Sequence, residues 1–187
     1  MKKVTMILSF VSICALTAFT ALPPAKLVAK DAHISFYSHT SVEDITANNY
    51  KVTTTLDTDT GELVFSVPMQ GFEFEKALMQ KHYNSKNFLN TKKYPKAKFV
   101  GKITNMGAIK FDTDGSYTAQ ISGEMTIKET TQNFEATAAI TVASSQINLE
   151  SKMNIVLADY GVTFSKGKPS TNIAKEIEVT VKANYKP

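Results

Sequence analysis

Residues 117–142 read Tyr-Thr-Ala-Gln-Ile-Ser-Gly-Glu-Met-Thr-Ile-Lys-Glu-Thr-Thr-Gln-Asn-Phe-Glu-Ala-Thr-Ala-Ala-Ile-Thr-Val. Tyr117, Ala119, Ile121, Met125 and Ile127 recur at every second position, with an interruption expected at Gly123. After the polar segment Lys128–Asn133, Phe134, Ala136, Ala138, Ile140 and Val142 resume the same period. Period two over such lengths is the signature of half-buried antiparallel strands, because successive side chains point to opposite faces. Lys128–Asn133 is the expected hairpin loop between them.

The pattern extends in both directions. Downstream, Ile147, Leu149, Met153, Ile155 and Leu157 alternate, and so do Ile177, Val179, Val181, Ala183 and Tyr185, across a loop at 160–170. Upstream, Phe99 and Ile103 mark a strand over 97–104. Leu63, Phe65 and Val67 mark another over 62–69, and Pro68 suits its end. Tyr50, Val52, Thr54 and Leu56 are assigned to one side of a strand over 48–58, joined to the next by the turn cluster ending at Gly61. Ile34 and Phe36 place a first strand at 32–38. Only 72–83 changes to helical spacing, through Phe74, Ala77, Leu78 and Lys81. About eight alternating strands with short connections and no β-α-β alternation predict an all-β fold. The expected architecture is an antiparallel, up-and-down, lipocalin-like barrel with one short inserted helix, wide enough for one elongated ligand.

The first segment stands apart. Lys2 and Lys3 precede an uncharged apolar run from Val4 to Ala21, broken by Pro23 and Pro24. This is the pattern of a secretory signal peptide, assigned to residues 1–29 with cleavage near Ala29, which leaves residues 30–187 as one domain. An uncleaved N-terminal anchor is the alternative. Export to the periplasm or the cell exterior is the expected location. The single cysteine, Cys14, sits inside the apolar run without a small residue before it, so neither lipidation nor disulfide chemistry is expected.

The chain carries 21 basic and 17 acidic side chains. Three lysines (Lys2, Lys3 and Lys26) precede Ala29, which leaves 18 against 17 in the expected domain. There is no arginine. A near-neutral, lysine-only balance argues against geometry-specific nucleic-acid recognition.

Catalytic and metal patterns are weak. His33, His39 and His82 have no cysteine or acid at ligand spacing, and surface or structural roles account for them. No nucleophile elbow occurs, and although His82 and Asp159 could in principle meet as base and acid, nothing in the sequence brings them together. No catalytic residue, metal or catalytic cofactor is assigned, and the protein is read as a non-enzyme. Lys92, Lys93, Lys96, Lys98 and Lys102 form the densest cationic set. It suits either a solvated strand edge or a collar at a barrel mouth that attracts an anionic or polar head group, or a membrane surface. The aromatic and Met-containing set Phe72, Phe74, Leu78, Met79, Tyr83, Phe88, Leu89, Tyr94 and Phe99 suits either a plug at one barrel end or the lining and gate of a hydrocarbon site. Ala138 and Tyr160 complete the candidate ligand-binding set.

The stretch from His82 to Phe99 adds a resemblance. His82, Asn84-Ser85, Asn87-Phe88-Leu89-Asn90 and Tyr94-Pro95-Lys96-Ala97-Lys98-Phe99 resemble the signature of the YceI-like family of exported lipid- or polyisoprenoid-binding proteins. Gly123–Lys128 resembles the strand before that family's hairpin, Asp159-Tyr160-Gly161-Val162 resembles its D-F-G turn, and Gly61 resembles its early hairpin. The chain departs from the pattern at Met79 and Gln80 (Arg-Asp in many members), at Glu129 (glycine) and at Leu157 (arginine). The resemblance implies a barrel holding a long-chain isoprenoid, a quinone or polyprenyl lipid, for carriage or sequestration. The lipid is then the expected partner, with transient membrane contact and a homodimer as further candidates. The competing expectation is an envelope structural or interaction protein with a packed barrel and no ligand.

Overall fold

The computed structural model describes residues 26–41, 43–163 and 174–186. Residues 1–25, where the signal peptide is expected, and the segment 164–173 lie outside them. Nine strands follow in order: β1 Lys26–His39, β2 Asp44–Asp57, β3 Glu62–Pro68, β4 Glu73–Phe74, β5 Lys96–Ile103, β6 Gly115–Ile127, β7 Thr130–Ala143, β8 Gln146–Val156 and β9 Glu176–Tyr185. Among the described residues there is one α-helix, α1, spanning Ala77–Asn84. The sheet order is β1-β9-β8-β7-β6-β5-β3-β2, and β1 also pairs with β2, so eight strands close into an up-and-down antiparallel barrel. β4 is a two-residue addition on the start of β2. Closure satisfies the backbone groups that an open edge would expose.

Four expectations shift. First, the opening strand starts well before Ala32: β1 begins at Lys26, and Lys26–Ala29 pair with Thr54–Asp57 and bury Leu27 and Ala29. The register slips between Ala29 and Ile34, so buried positions change from odd (Leu27, Ala29) to even (Ala32, Ile34). A bulge of this kind breaks strict alternation, which is why the strand reads as starting at Ala32. Second, the same irregularity in β2 turns Tyr50 outward, 57% exposed, while Asn49 and Val52 point in. Third, Phe72–Lys76 is not helical; Phe74 pairs with Ala47 as a strand. Fourth, the β6–β7 turn is only Lys128-Glu129, because Lys128 adopts φ 56° and closes a tight hairpin. β6 also runs through Gly123 without a break, opposite Gly101 on β5.

The barrel is filled unevenly. At the end holding the close of β2, β5 and β9, Leu56, Ile103, Ile140, Leu149 and Tyr185 are fully buried. Each such apolar side chain contributes about 1.5–3 kcal/mol by leaving water. The Tyr185 hydroxyl bonds the Thr54 hydroxyl at 2.8 Å inside this packing, so these two buried polar groups satisfy each other. The opposite end is roofed by α1 and the loops around it.

Candidate functional site

The roof is built from the segment between β3 and β5. Buried Asn49 donates to the Pro68 carbonyl at 2.8 Å, and the Met69 amide donates to the Pro95 carbonyl at 2.8 Å, so both ends of the excursion are tied to the barrel rim. The Gln80 side chain donates to the Phe72 carbonyl at 3.1 Å, fixing α1 over the strand that precedes it. The loop after α1 is equally defined. Thr91, fully buried, donates to Asn84 Oδ1 at 2.6 Å. The amides of Lys93 and Tyr94 both donate to the Asn90 carbonyl, and Asn90 takes φ 47°, a region that asparagine tolerates. This compact turn directs Phe88 and Leu89 beneath it.

Under the roof lies a cavity of about 640 Å³. Its floor is Leu63, Ile121, Leu149 and Ser151, directly above the packed end. Phe65, Phe99, Met125, Phe134, Ala136 and Met153 form much of its wall. Phe36, Phe72, Phe74 and Tyr83 cluster at one side of the roof, with ring centroids between 5.0 Å (Phe74–Tyr83) and 6.1 Å (Phe36–Tyr83). Tyr83 is buried and its hydroxyl reaches only Met69 Sδ at 4.0 Å; burial pushes its phenol well above the ordinary tyrosine range. The Ser151 hydroxyl already donates to the Thr137 carbonyl at 2.7 Å, so the floor offers an incoming molecule no unpaired donor from that side chain. Leu78 is 58% exposed and also lines the cavity, which puts the mouth beside α1. Across the mouth, Glu43 from the β1–β2 loop pairs with Lys76 at 3.3 Å.

Of the candidate residues, Phe72, Phe74, Leu78, Met79, Phe88, Leu89 and Phe99 all line this cavity. Tyr94, Ala138 and Tyr160 do not. Tyr94 sits outside the barrel, where its hydroxyl donates to Glu129 at 2.8 Å and Lys93 donates to it at 2.6 Å. Ala138 faces inward but pairs with Ala119 within the packed end, two residues below Ala136. Tyr160 is buried in the one-turn helix Leu157–Tyr160. Sequence reasoning passed over much of the wall, including Met125, Phe134 and Met153, although their alternation marks them as inward, and Ile45, which precedes the strand expected from 48.

The polar candidates separate as well. His82 is exposed on α1, where it borders the cavity, while Asp159 lies in the one-turn helix Leu157–Tyr160. His33 stacks on Tyr50 at 4.3 Å and bonds Asn48, whereas His39 bonds Asp44 at 2.6 Å and so holds that carboxyl below its ordinary range. Among the described residues no group of three histidines, cysteines or acids converges. Lys96 and Lys102 lie at opposite ends of β5, so the lysine set does not form one collar.

The comparisons agree on the architecture. A polyisoprenoid binding domain from Saccharophagus degradans, implicated in plant cell wall breakdown, superposes with TM-score 0.72 at 12% identity, covering 88% of this chain and 99% of that one. Burkholderia cenocepacia BcnA follows at 0.67 and 14% identity, over 82% of this chain and 95% of its own. A Campylobacter jejuni YCEI protein gives 0.61 and 16%, over 80% and 89%. At these identities the likeness is one of fold. None of the curated proteins compared matches the chain. The sequence profile of the YceI-like domain matches residues 26–185, and on that match, over a closed barrel of the same build, the chain belongs to the YceI-like domain family.

Proposed function

We propose that the protein binds an isoprenoid or other long-chain lipid in the hollow half of its barrel and carries or sequesters it. The observation that carries this reading is a 640 Å³ cavity walled by hydrocarbon and aromatic side chains, roofed by a helix with an exposed leucine at the mouth. Its size falls within the ~300–1,000 Å³ typical of ligand pockets. The S. degradans relative, described as a polyisoprenoid binding domain, supports the same ligand class. Taking a methylene as close in volume to a water molecule, ~30 Å³, the cavity holds on the order of 20 carbons, or about four isoprene units. A longer quinone or polyprenyl tail would extend past Leu78. Burial at roughly 0.8 kcal/mol per methylene drives binding without any catalytic residue.

Export belongs to the same proposal. It rests on the basic and apolar leader, and places the protein in the periplasm or outside the cell, where its mouth meets a membrane only to load or release lipid. The reading of a fully packed, ligand-free barrel is disfavoured by the cavity itself.

Native mass spectrometry of protein purified from an envelope-bearing host tests the proposal. The expected result is an adduct that organic solvent extracts, and that is reduced at least ten-fold in Ala136→Phe, which fills the cavity wall. Absence of any adduct, together with failure of purified protein to take up geranylgeraniol, would overturn it.

A further inference from the structure

A second, polar pocket of about 220 Å³ lies on the outer side of the roof loop. Lys86, Asn87, Phe88, Asn90, Tyr94 and Lys128 are among its lining residues, and none of the lining residues is acidic. It abuts the apolar cavity at three places, each by a pair of neighbours in sequence. Phe88 lines both spaces, next to Asn87. Ile127 lines the cavity and Lys128 the pocket. Val162 lines the cavity and Gly161 the pocket. The wall between a hydrocarbon space and a cationic space is thus one residue thick, and Phe88 is common to both.

The charges converge here for local reasons. The two-residue hairpin turn, with Lys128 at φ 56°, brings this lysine to within 3.3 Å of the Gly161 carbonyl and 6.0 Å of the Tyr94 ring. Lys86 arrives from the loop after α1. Glu129, next to Lys128 in sequence, accepts from the pocket-lining Tyr94 at 2.8 Å and pairs with Lys93 at 3.9 Å, so Lys93 offsets its charge at the pocket's edge. Lysine serves anions as a point charge, and amides beside it add neutral donors.

We infer that this pocket takes the anionic head group of the amphiphile whose tail fills the apolar cavity, with Lys86 and Lys128 as its cationic partners and Phe88 as the partition it passes. This rests on the lipid-binding reading and deepens it. It also separates isoprenoid classes, since a neutral quinone head accepts lysine hydrogen bonds through its carbonyls but lacks the charge attraction of a phosphate.

The test compares geranylgeranyl phosphate, geranylgeraniol and inorganic phosphate by calorimetry, on the wild-type chain, on Lys86→Ala and on Lys86→Ala/Lys128→Ala. Charge-assisted bonds of the usual strength predict at least about ten-fold tighter binding of the phosphate ester than of the alcohol. That preference should shrink in the single variant and vanish in the double, with alcohol binding unchanged. Lys86→Ala keeps the test decisive if loss of the Lys128–Gly161 bond disturbs the fold. No preference in the wild type, or a preference that survives both substitutions, overturns the head-group site. Saturable phosphate binding without an ester preference also overturns it, and identifies a free-anion site instead. If alcohol binds and only the preference is missing, the cavity reading stands. If neither amphiphile binds, both readings fall.

Discussion

At the scale of single residues, a site assignment depends on height within the barrel as much as on face. Ala136 and Ala138 point the same way, yet one lines the cavity and the other lies in the packed end. Two strand residues rise only about 6.6 Å, and that step crosses the floor. Alternation reports the face but carries no information about height, so Ala138 was legible as inward and not as packed. Tyr50 shows the complementary failure, where a bulge reverses the face itself. Two buried tyrosines carry a prediction at this scale. Burial raises the phenols of Tyr83 and Tyr185 above the ordinary value, with the Thr54 hydroxyl only partly offsetting this at Tyr185. The unfolded chain then loses phenolic protons near pH ~10 while the folded chain keeps them. The stabilisation is therefore complete below pH ~10 and declines as pH rises beyond it, by up to about 1.4 kcal/mol per pH unit for each tyrosine. Urea unfolding between pH 8 and 11.5 should show this slope, reduced in Tyr83→Phe. Equal slopes for the two proteins would remove Tyr83 from the account.

At the scale of elements, β5 and β6 cross at a glycine pair that shapes the cavity wall. Gly101 faces Gly123, and the Phe99 ring lies over both. A Cβ built on Gly101 would stand 2.6 Å from the Ser122 carbonyl oxygen, and one on Gly123 would stand 2.9 Å from Phe99 Cζ and overlap the backbone of Gly101. The expected interruption at Gly123 is instead a close approach, which a glycine in a strand equally signals. Phe99 in turn meets Phe134 edge-on at 6.3 Å. Gly123→Ala should therefore push Phe99 into the cavity. The predicted cost is about 1–3 kcal/mol in urea unfolding, with a smaller uptake of geranylgeraniol. Unchanged stability and uptake would show that the ring does not depend on the pair. Helix α1 shows a related limit of pattern reading. Phe72 and Phe74 belong with the roof, but alternation with Glu73 and Glu75 over so few residues cannot be told from the start of a helix. The pairing of Phe74 with Ala47, a residue 27 positions earlier, settles it.

At the scale of the whole molecule, closure depends on β1, which pairs with β2 on one side and β9 on the other. Lys26–Ala29 supply the end of that strand and bury Leu27 beside the packed half. A mature chain beginning at Lys30 would lose four paired positions and the burial of Leu27, itself worth about 1.5–3 kcal/mol. We therefore expect processing at or before Lys26. N-terminal sequencing of exported protein checks this, and a chain truncated to Lys30 should unfold at a urea concentration well below that of one starting at Lys26. Equal midpoints would return the boundary to Ala29.

The amino-acid sequence by itself determined the class of fold, because period-two alternation and β-turn residues are local properties that any strand must display. It also determined which faces are apolar in β3 and β5–β9, though not across the bulge of β1 and β2, and the order of motifs from His82 to Phe99 that marks the family. Only the tertiary structure decided that half of the interior is packed and half hollow. That depends on which side chains from eight strands meet at one height: Tyr185 with Thr54 and Ile140 at one end, Ala136 with Phe99 and Met153 at the other. It alone placed Tyr94 outside the barrel and brought Lys86 to Lys128, 42 residues apart in the chain, around one pocket. Such meetings follow from register and closure, and no local pattern encodes them.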